Sequence, residues 1–151
     1  MTKDEIKICA FTVKANPPHM GVILALFKLL DYYNQVIIAY YASDGLLQVD
    51  QCTSMINIIT SRVNKLAGKE VFKIIELDID FSTISHFPKE LKDAGVSMLV
   101  TTSNRVYANC TTKGIPVQRL TRARGFRDFY EQIAFTRGFL EDNVRDIFRG
   151  N

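Results

Sequence analysis

The feature that most constrains the fold is a regular alternation of short apolar runs with longer amphipathic segments. The short runs are rich in β-branched and aromatic residues, which favour buried strands. They lie at 6–13, 35–43, 70–78 and 96–102, with a shorter candidate at 115–120. Alternation of this kind is typical of a parallel sheet that is covered by helices.

Helices are predicted in the segments between these strands. The segment 20–34 is apolar on most sides, which indicates a deeply buried helix. A helical stripe of apolar residues begins at Val49, and Gly68 follows it as a C-cap. The segment 81–95 is predicted to be helical at least from Pro88, since proline is tolerated in a first turn.

Length and composition indicate an ordinary globular domain. The chain has 151 residues, of which 47% are hydrophobic and 23% charged, so one domain over 1–151 can bury its own core. We therefore expect an α/β fold: a Rossmann-like parallel sheet of about five strands, helices on both faces, and a C-terminal helical segment over roughly 122–149.

Neither the cysteines nor the apolar segments indicate a secreted or membrane protein. Cys9, Cys52 and Cys110 are an odd, scattered set without metal-ligand spacing, so we expect reduced core thiols and no metal site. No apolar run is long enough to span a bilayer, and the N-terminal MTKDEIK does not resemble a signal peptide. A cytoplasmic location without membrane contact is expected.

The turn between the first strand and the first helix is the first candidate site. In open parallel sheets, ligands bind at the carboxyl ends of strands, near the switch in strand order. A helix that begins near Met20 or Gly21 directs free N–H groups at an anion such as phosphate, and Gly21 allows close approach. Lys14 at the strand end and His19 at the helix start could face the same phosphate. The other loops expected at this edge are 43–48, 79–83 and 102–113.

Several segments resemble, in order, the motifs of one superfamily. ANPPHMGV (15–22) resembles the signature of the HxGH-type nucleotidyltransferases, and its Asn-Pro-Pro is similar to short nucleotidyltransferase-like proteins of tailed phages. LVTTSNRV (99–106) resembles the strand end that usually reads Gly-Ser-Asp-Arg-Val. LTRAR (120–124) resembles Ser-x-Thr-Lys-x-Arg, and RGFLEDNVRDIF (137–148) is similar to a Leu-Pro-x-x-Val ending. The resemblance covers most of the chain.

The resemblance implies that these loops bind a nucleotide and form the site of a nucleotidyl transfer. A phosphate or similar nucleophile would attack the α-phosphate of a nucleoside triphosphate and release pyrophosphate, usually with magnesium. His19 would be the catalytic residue that stabilises the phosphates. The residues expected to bind nucleotide or phosphate are Lys14, Asn16, Gly21, Asn104, Thr121, Arg122 and Arg124.

Four departures from the motifs indicate that catalysis is weak or lost. Val22 stands where the second histidine is usual, and losing one such donor can cost roughly 100- to 1,000-fold in rate. Val13 replaces a glycine of the first strand, and Asn104 replaces the aspartate of Gly-Ser-Asp. The serine ahead of Thr121 is not matched.

Two other classes of function stay open. The chain could be a catalytically inactive pseudoenzyme that serves as a protein-binding or structural module, such as a viral protein in the host cytoplasm. It could instead bind nucleic acid through the basic segment 113–127, although the net charge of only +3 disfavours this. The base, the acceptor, the partner and the oligomeric state are not predicted.

Overall fold

A five-stranded parallel sheet forms the centre of the protein. The computed structural model describes residues 8–14, 20–30, 32–41 and 48–120. The strands are β1 (Ile8–Val13), β2 (Val36–Tyr40), β3 (Phe72–Glu76), β4 (Val96–Thr101) and β5 (Val117–Arg119). Every neighbouring pair is parallel, and the order across the sheet is β3-β2-β1-β4-β5. This confirms the expected α/β, Rossmann-like fold.

Helices connect the strands and cover both faces of the sheet. Within the described residues they are α1 (Met20–Leu29), α2 (Val49–Ala67), α3 (Lys89–Asp93) and α4 (Asn104–Thr112). None of these described helices is both long and apolar enough to cross a membrane.

Two hydrophobic clusters occupy the two faces, because successive side chains of a strand point to opposite sides. The first cluster joins Phe11 of β1 and Ile38 of β2 to residues of α1 and α2. The second joins Ala10 and Ala39 of the same strands to residues of α3 and α4. Helices on both faces are thereby confirmed.

All three cysteines are buried and free, as predicted. Cys9 and Cys52 belong to the first cluster, and Cys110 belongs to the second. Burial raises the pKa of the Cys9 thiol to about 12, and it also raises the pKa values of Cys52 and Cys110. These thiols are therefore protonated at neutral pH and act as small apolar side chains.

The predicted helix boundaries are right for α2 and differ in three other places. The helix predicted over 20–34 begins at Met20 as expected but ends at Leu29. Gly68 caps α2 in the left-handed conformation at φ +74°, as expected. The helix expected within 81–95 is only the short α3, and Pro88 is its N-cap with an extended ψ of 131° rather than a first-turn residue. Residues 102–113, expected to be a loop, contain α4, which buries Val106 and Cys110 four positions apart. The helical tail expected over 122–149 lies outside the described residues.

Candidate functional site

The switch in strand order lies between β1 and β4. These strands are neighbours, with Ala10 opposite Leu99 and Phe11 opposite Val100. The chain leaves β1 toward α1 on one face, and it leaves β4 toward α4 on the other face. A crevice at the carboxyl ends of these two strands is where open α/β sheets bind ligands.

The start of α4 is held at this edge by a chain of hydrogen bonds. The buried Thr101 at the end of β4 accepts from the Ser103 N–H through Oγ1, at 3.0 Å. Ser103 is the N-cap, and its Oγ accepts from the Val106 N–H at 3.3 Å. Asn104 is the exposed first residue of the helix, and the first N–H groups of a helix have no intrahelical partner. Asn104 is thus presented at the edge where it was expected.

The segment after β5 begins at the same edge. The Leu120 N–H donates to the carbonyl of Thr101 at 2.8 Å, so Leu120 lies beside the end of β4. The end of β1, the start of α4 and the end of β5 therefore converge on one edge. Sequence order alone does not require this convergence; the strand order produces it.

Lys14 follows β1 and contacts residues from two other loops. Its Nζ lies 3.6 Å from Asp80 Oδ2 and 5.3 Å from the centre of the Tyr41 ring. Tyr41 follows β2 and Asp80 follows β3, so the contacts join three strand ends. The lysine side chain is 54% exposed, which leaves its ammonium group accessible to a ligand while Asp80 offsets part of its charge.

Asp80 is the residue of this edge that the sequence did not single out. Its Oδ1 accepts from the Ser82 hydroxyl at 2.6 Å and from the Ser82 N–H at 3.0 Å. These two bonds, aided by Lys14 and opposed by partial burial, lower the pKa of the Asp80 carboxyl. An Asp followed two residues later by Ser is the pattern of a local Asx turn, and that signal was available in the sequence.

The lowered pKa of Asp80 predicts a pH-dependent contribution to stability. Because the carboxylate is favoured in the folded state, its contribution is present at neutral pH and is lost as pH falls below about 4, through the folded pKa. The free energies of unfolding of the wild type and Asp80→Asn should therefore differ at pH 7 and converge toward pH 2.5. Ser82→Ala should lose part of the same pH-dependent difference. A difference that stays constant from pH 7 to 2.5 would contradict this account.

The two valines that depart from the motif are core residues. Val22 is 6% exposed and Val13 is 4% exposed, and both belong to the first hydrophobic cluster. The side chain at position 22 is therefore packed in the interior. This placement explains why an apolar residue is suited to that position.

A tyrosine is buried at the end of β2. Tyr40 is fully buried, and its hydroxyl has no hydrogen-bond partner within the part of the chain described. Burial, with the neighbouring Cys52 and Glu76, raises the pKa of Tyr40 to about 12. A neutral, buried phenol does not take part in acid–base chemistry at neutral pH, so Tyr40 is a core residue.

Of the remaining predicted site residues, one lies within the described ranges and the others lie outside them. Gly21 lies in the first turn of α1, where its backbone is helical. Outside the described residues lie Asn16, His19, Thr121, Arg122 and Arg124.

The described residues do not provide a set of protein ligands that could hold a magnesium ion by themselves. No group of three or more His, Cys, Asp or Glu side chains is close enough to hold a metal ion in the described ranges. Asp80, the carboxylate at the candidate edge, already engages Ser82 and Lys14 through its two oxygens.

Comparison with known proteins gives no family assignment. No protein-family model matches the chain, and no curated protein is significantly similar to it in sequence. The resemblance to nucleotidyltransferases therefore stays a prediction from the motifs.

Proposed function

We propose that the chain binds a nucleoside triphosphate, or a phosphate group, at the carboxyl ends of β1 and β4, as a nucleotidyltransferase-like protein with weak or lost catalysis. The observation that carries the proposal is the convergence of the end of β1, the start of α4 and the end of β5 on this edge. Lys14, Asn104 and Leu120 lie at the edge where open parallel sheets bind ligands.

Lys14 would supply the positive charge for the ligand within the described residues. Its Nζ is held near the edge by Asp80 and by the face of Tyr41, and it stays more than half exposed. A triphosphate carries several negative charges, so it would compete with the single carboxylate of Asp80 for this ammonium group. The first N–H groups of α1 and α4 would add donors for phosphate oxygens.

Weak or absent turnover is supported by the position of Val22. An HxGH-type site needs a second donor at this position, but Val22 is 6% exposed and packed in the first cluster. A valine offers no hydrogen bond to a developing phosphorane, which would lower the rate by roughly 100- to 1,000-fold. If magnesium takes part, it would have to be held largely by the ligand's phosphates, since the described residues provide no cage of protein ligands.

The buried position of Val22 also supports one alternative from another class of function. A pseudoenzyme would keep the fold and use it to bind a protein, without a triphosphate. The two functions differ in one measurable property, which is the affinity for a free nucleotide.

Isothermal titration of ATP, CTP and GTP into the purified chain, with and without magnesium chloride, tests the proposal. Lys14→Ala should weaken the binding of the preferred triphosphate roughly 10-fold, because one charge-assisted contact is lost. Asp80→Asn should tighten binding, because it removes a competing negative charge 3.6 Å from the Lys14 Nζ. Lys113→Ala, an exposed lysine at the far end of α4, is the control that should not change binding.

Lys14→Ala and Asp80→Asn are expected to change the affinity for the triphosphate in opposite directions. Together they therefore test whether the ligand binds beside this pair. Failure of all three triphosphates to bind at millimolar concentration would reject the nucleotide function and favour the pseudoenzyme. Binding that is unchanged in both Lys14→Ala and Asp80→Asn would place the ligand elsewhere on the chain.

A further inference from the structure

The outer strand β3 leaves backbone groups unpaired at the edge of the sheet. Within the described residues β3 has one neighbour, β2, and in a parallel pair alternate residues direct their N–H and C=O groups to that neighbour. The Val36 N–H donates to the Val71 carbonyl at 2.8 Å, and the Leu77 N–H donates to the Tyr40 carbonyl at 2.9 Å. The backbone groups of Phe72, Ile74 and Glu76 therefore face away from the sheet.

Asn64 of α2 covers this edge at Phe72. Its Nδ2 donates to the Phe72 carbonyl and its Oδ1 accepts from the Phe72 N–H, both at 2.9 Å. The same Oδ1 also accepts from the Val71 N–H at 2.9 Å. The amide of Asn64 thus takes the place of a neighbouring strand at the beginning of β3 and blocks further pairing there.

The outward backbone groups of Ile74 and Glu76 remain open as far as the described residues are concerned. No described residue bonds to their outward N–H and C=O groups, and a groove of about 640 Å³ between α2 and β3 reaches as far as Ile74. Unpaired edge groups of this kind are a template for a further strand. Two outward-facing residues of β3 are therefore available for pairing. Their positions set both the length and the register of a strand that can pair with this edge.

Charge is divided between the two ends of this edge. Lys65, Lys69 and Glu70 line the groove near the beginning of β3, and all three are exposed, so the net charge of this end is positive. Glu76 and Asp78 lie at and just beyond the end of β3, and both are exposed as well. The edge is therefore basic at its amino end and acidic at its carboxyl end.

We propose that the β3 edge is a self-association surface on which a second copy of this chain pairs its own β3 in antiparallel orientation. With a two-fold axis at Ile75, Ile74 of each copy lies opposite Glu76 of the other. In antiparallel sheets such directly opposed residues exchange both of their N–H···O bonds, so four hydrogen bonds form. The two sheets join into one of ten strands.

Asn64 and the charges select this arrangement over others. An axis at Ile74 would require the backbone groups of Phe72, which Asn64 already occupies. The antiparallel orientation brings the basic end of each edge beside the acidic end of the other, twice by symmetry, whereas a parallel partner would oppose like charges. A second copy provides the acidic end that this edge requires.

Sedimentation velocity and amide hydrogen exchange of the full chain, from about 10 µM to about 1 mM, test the proposal. The dimer fraction should rise with concentration, and the amides of Ile74 and Glu76 should become protected in parallel. The Phe72 amide, already bonded to Asn64, is the internal control whose protection should not change. This readout uses the wild-type chain and needs no substitution.

Charge reversal tests the orientation. Lys65→Glu/Lys69→Glu and Glu76→Lys/Asp78→Lys should each weaken self-association at least about 10-fold, and an equimolar mixture of the two should form a heterodimer. Lys92→Glu/Lys113→Glu, which changes exposed lysines on α3 and at the end of α4, should leave association unchanged. The proposal is overturned if the chain stays monomeric, if a dimer forms without protecting Ile74 and Glu76, or if the mixture fails to associate.

Discussion

Replacing Asn64 by alanine is expected to lower the free energy of unfolding by about 2 to 3 kcal/mol. The side chain makes three hydrogen bonds to the backbone of Val71 and Phe72, each 2.9 Å long. Alanine would remove all three. The Val71 N–H would keep its bond to the Lys69 carbonyl at 3.1 Å, but the N–H and C=O groups of Phe72 would have only water as a substitute. Chemical denaturation followed by circular dichroism measures the change.

Asn57→Ala is the matched control, because Asn57 lies two turns earlier on the same helix. Its side chain is exposed and donates one bond, at 2.9 Å, to the carbonyl of Thr53 in its own helix. We expect this variant to change the free energy of unfolding by less than about 0.5 kcal/mol. Equal effects of the two substitutions would show that the asparagine side chain does not join α2 to β3.

Introducing the missing motif histidine by Val22→His is expected to lower the free energy of unfolding by about 3 kcal/mol. The Val22 side chain is 6% exposed and packs in the cluster that includes Phe11 and Leu26. An imidazole is larger than this space and brings polar nitrogens into apolar surroundings. Thermal or chemical denaturation at neutral pH gives the change directly.

Val22→Ala separates lost packing from the burial of polar atoms. It removes two methyl groups without adding a polar atom, so its cost should be smaller, about 1 to 2 kcal/mol. A Val22→His protein as stable as the wild type would mean that the position can face the ligand crevice. That outcome would argue against the proposal that valine here accompanies a loss of catalysis.

Most of the sheet could be predicted because its strands are fully buried. β1, β2 and β4 are apolar runs that need no alternation with polar residues, since helices cover both faces. The role of Gly68 as the C-cap of α2 could be predicted equally well, because a helix that ends in the left-handed conformation favours glycine. These features depend on local sequence, and a local pattern is enough to indicate them.

The misplaced elements depend on contacts that no local pattern contains. The sequence of α4 carries Asn, Thr and Val, which are weak helix formers, and its helical state depends on the Ser103 cap and on burial of Val106 and Cys110. Pro88 was placed one position too far into its helix, because the ring suits both the N-cap and the first turn. Burial in the second cluster decided the case of α4, whereas Pro88 is locally compatible with either position.

The candidate site likewise has features that the sequence could predict and one that it could not. Lys14 and Asn104 follow strands, so their place at the carboxyl edge could be predicted from the alternation alone. The pairing of Lys14 with Asp80 could not, because 66 positions separate the two residues and the strand order brings them together. Loop 79–83 was expected at this edge, but only the structure shows that its Asp80 contacts Lys14.

The three buried cysteines make each face of the sheet chemically distinguishable. Cys9 and Cys52 are shielded by the first cluster and Cys110 by the second, and burial keeps all three thiols protonated. An alkylating reagent can modify them only when the surrounding packing opens. The order in which these thiols become reactive therefore records which layer of helices separates from the sheet first, without any label having to be introduced.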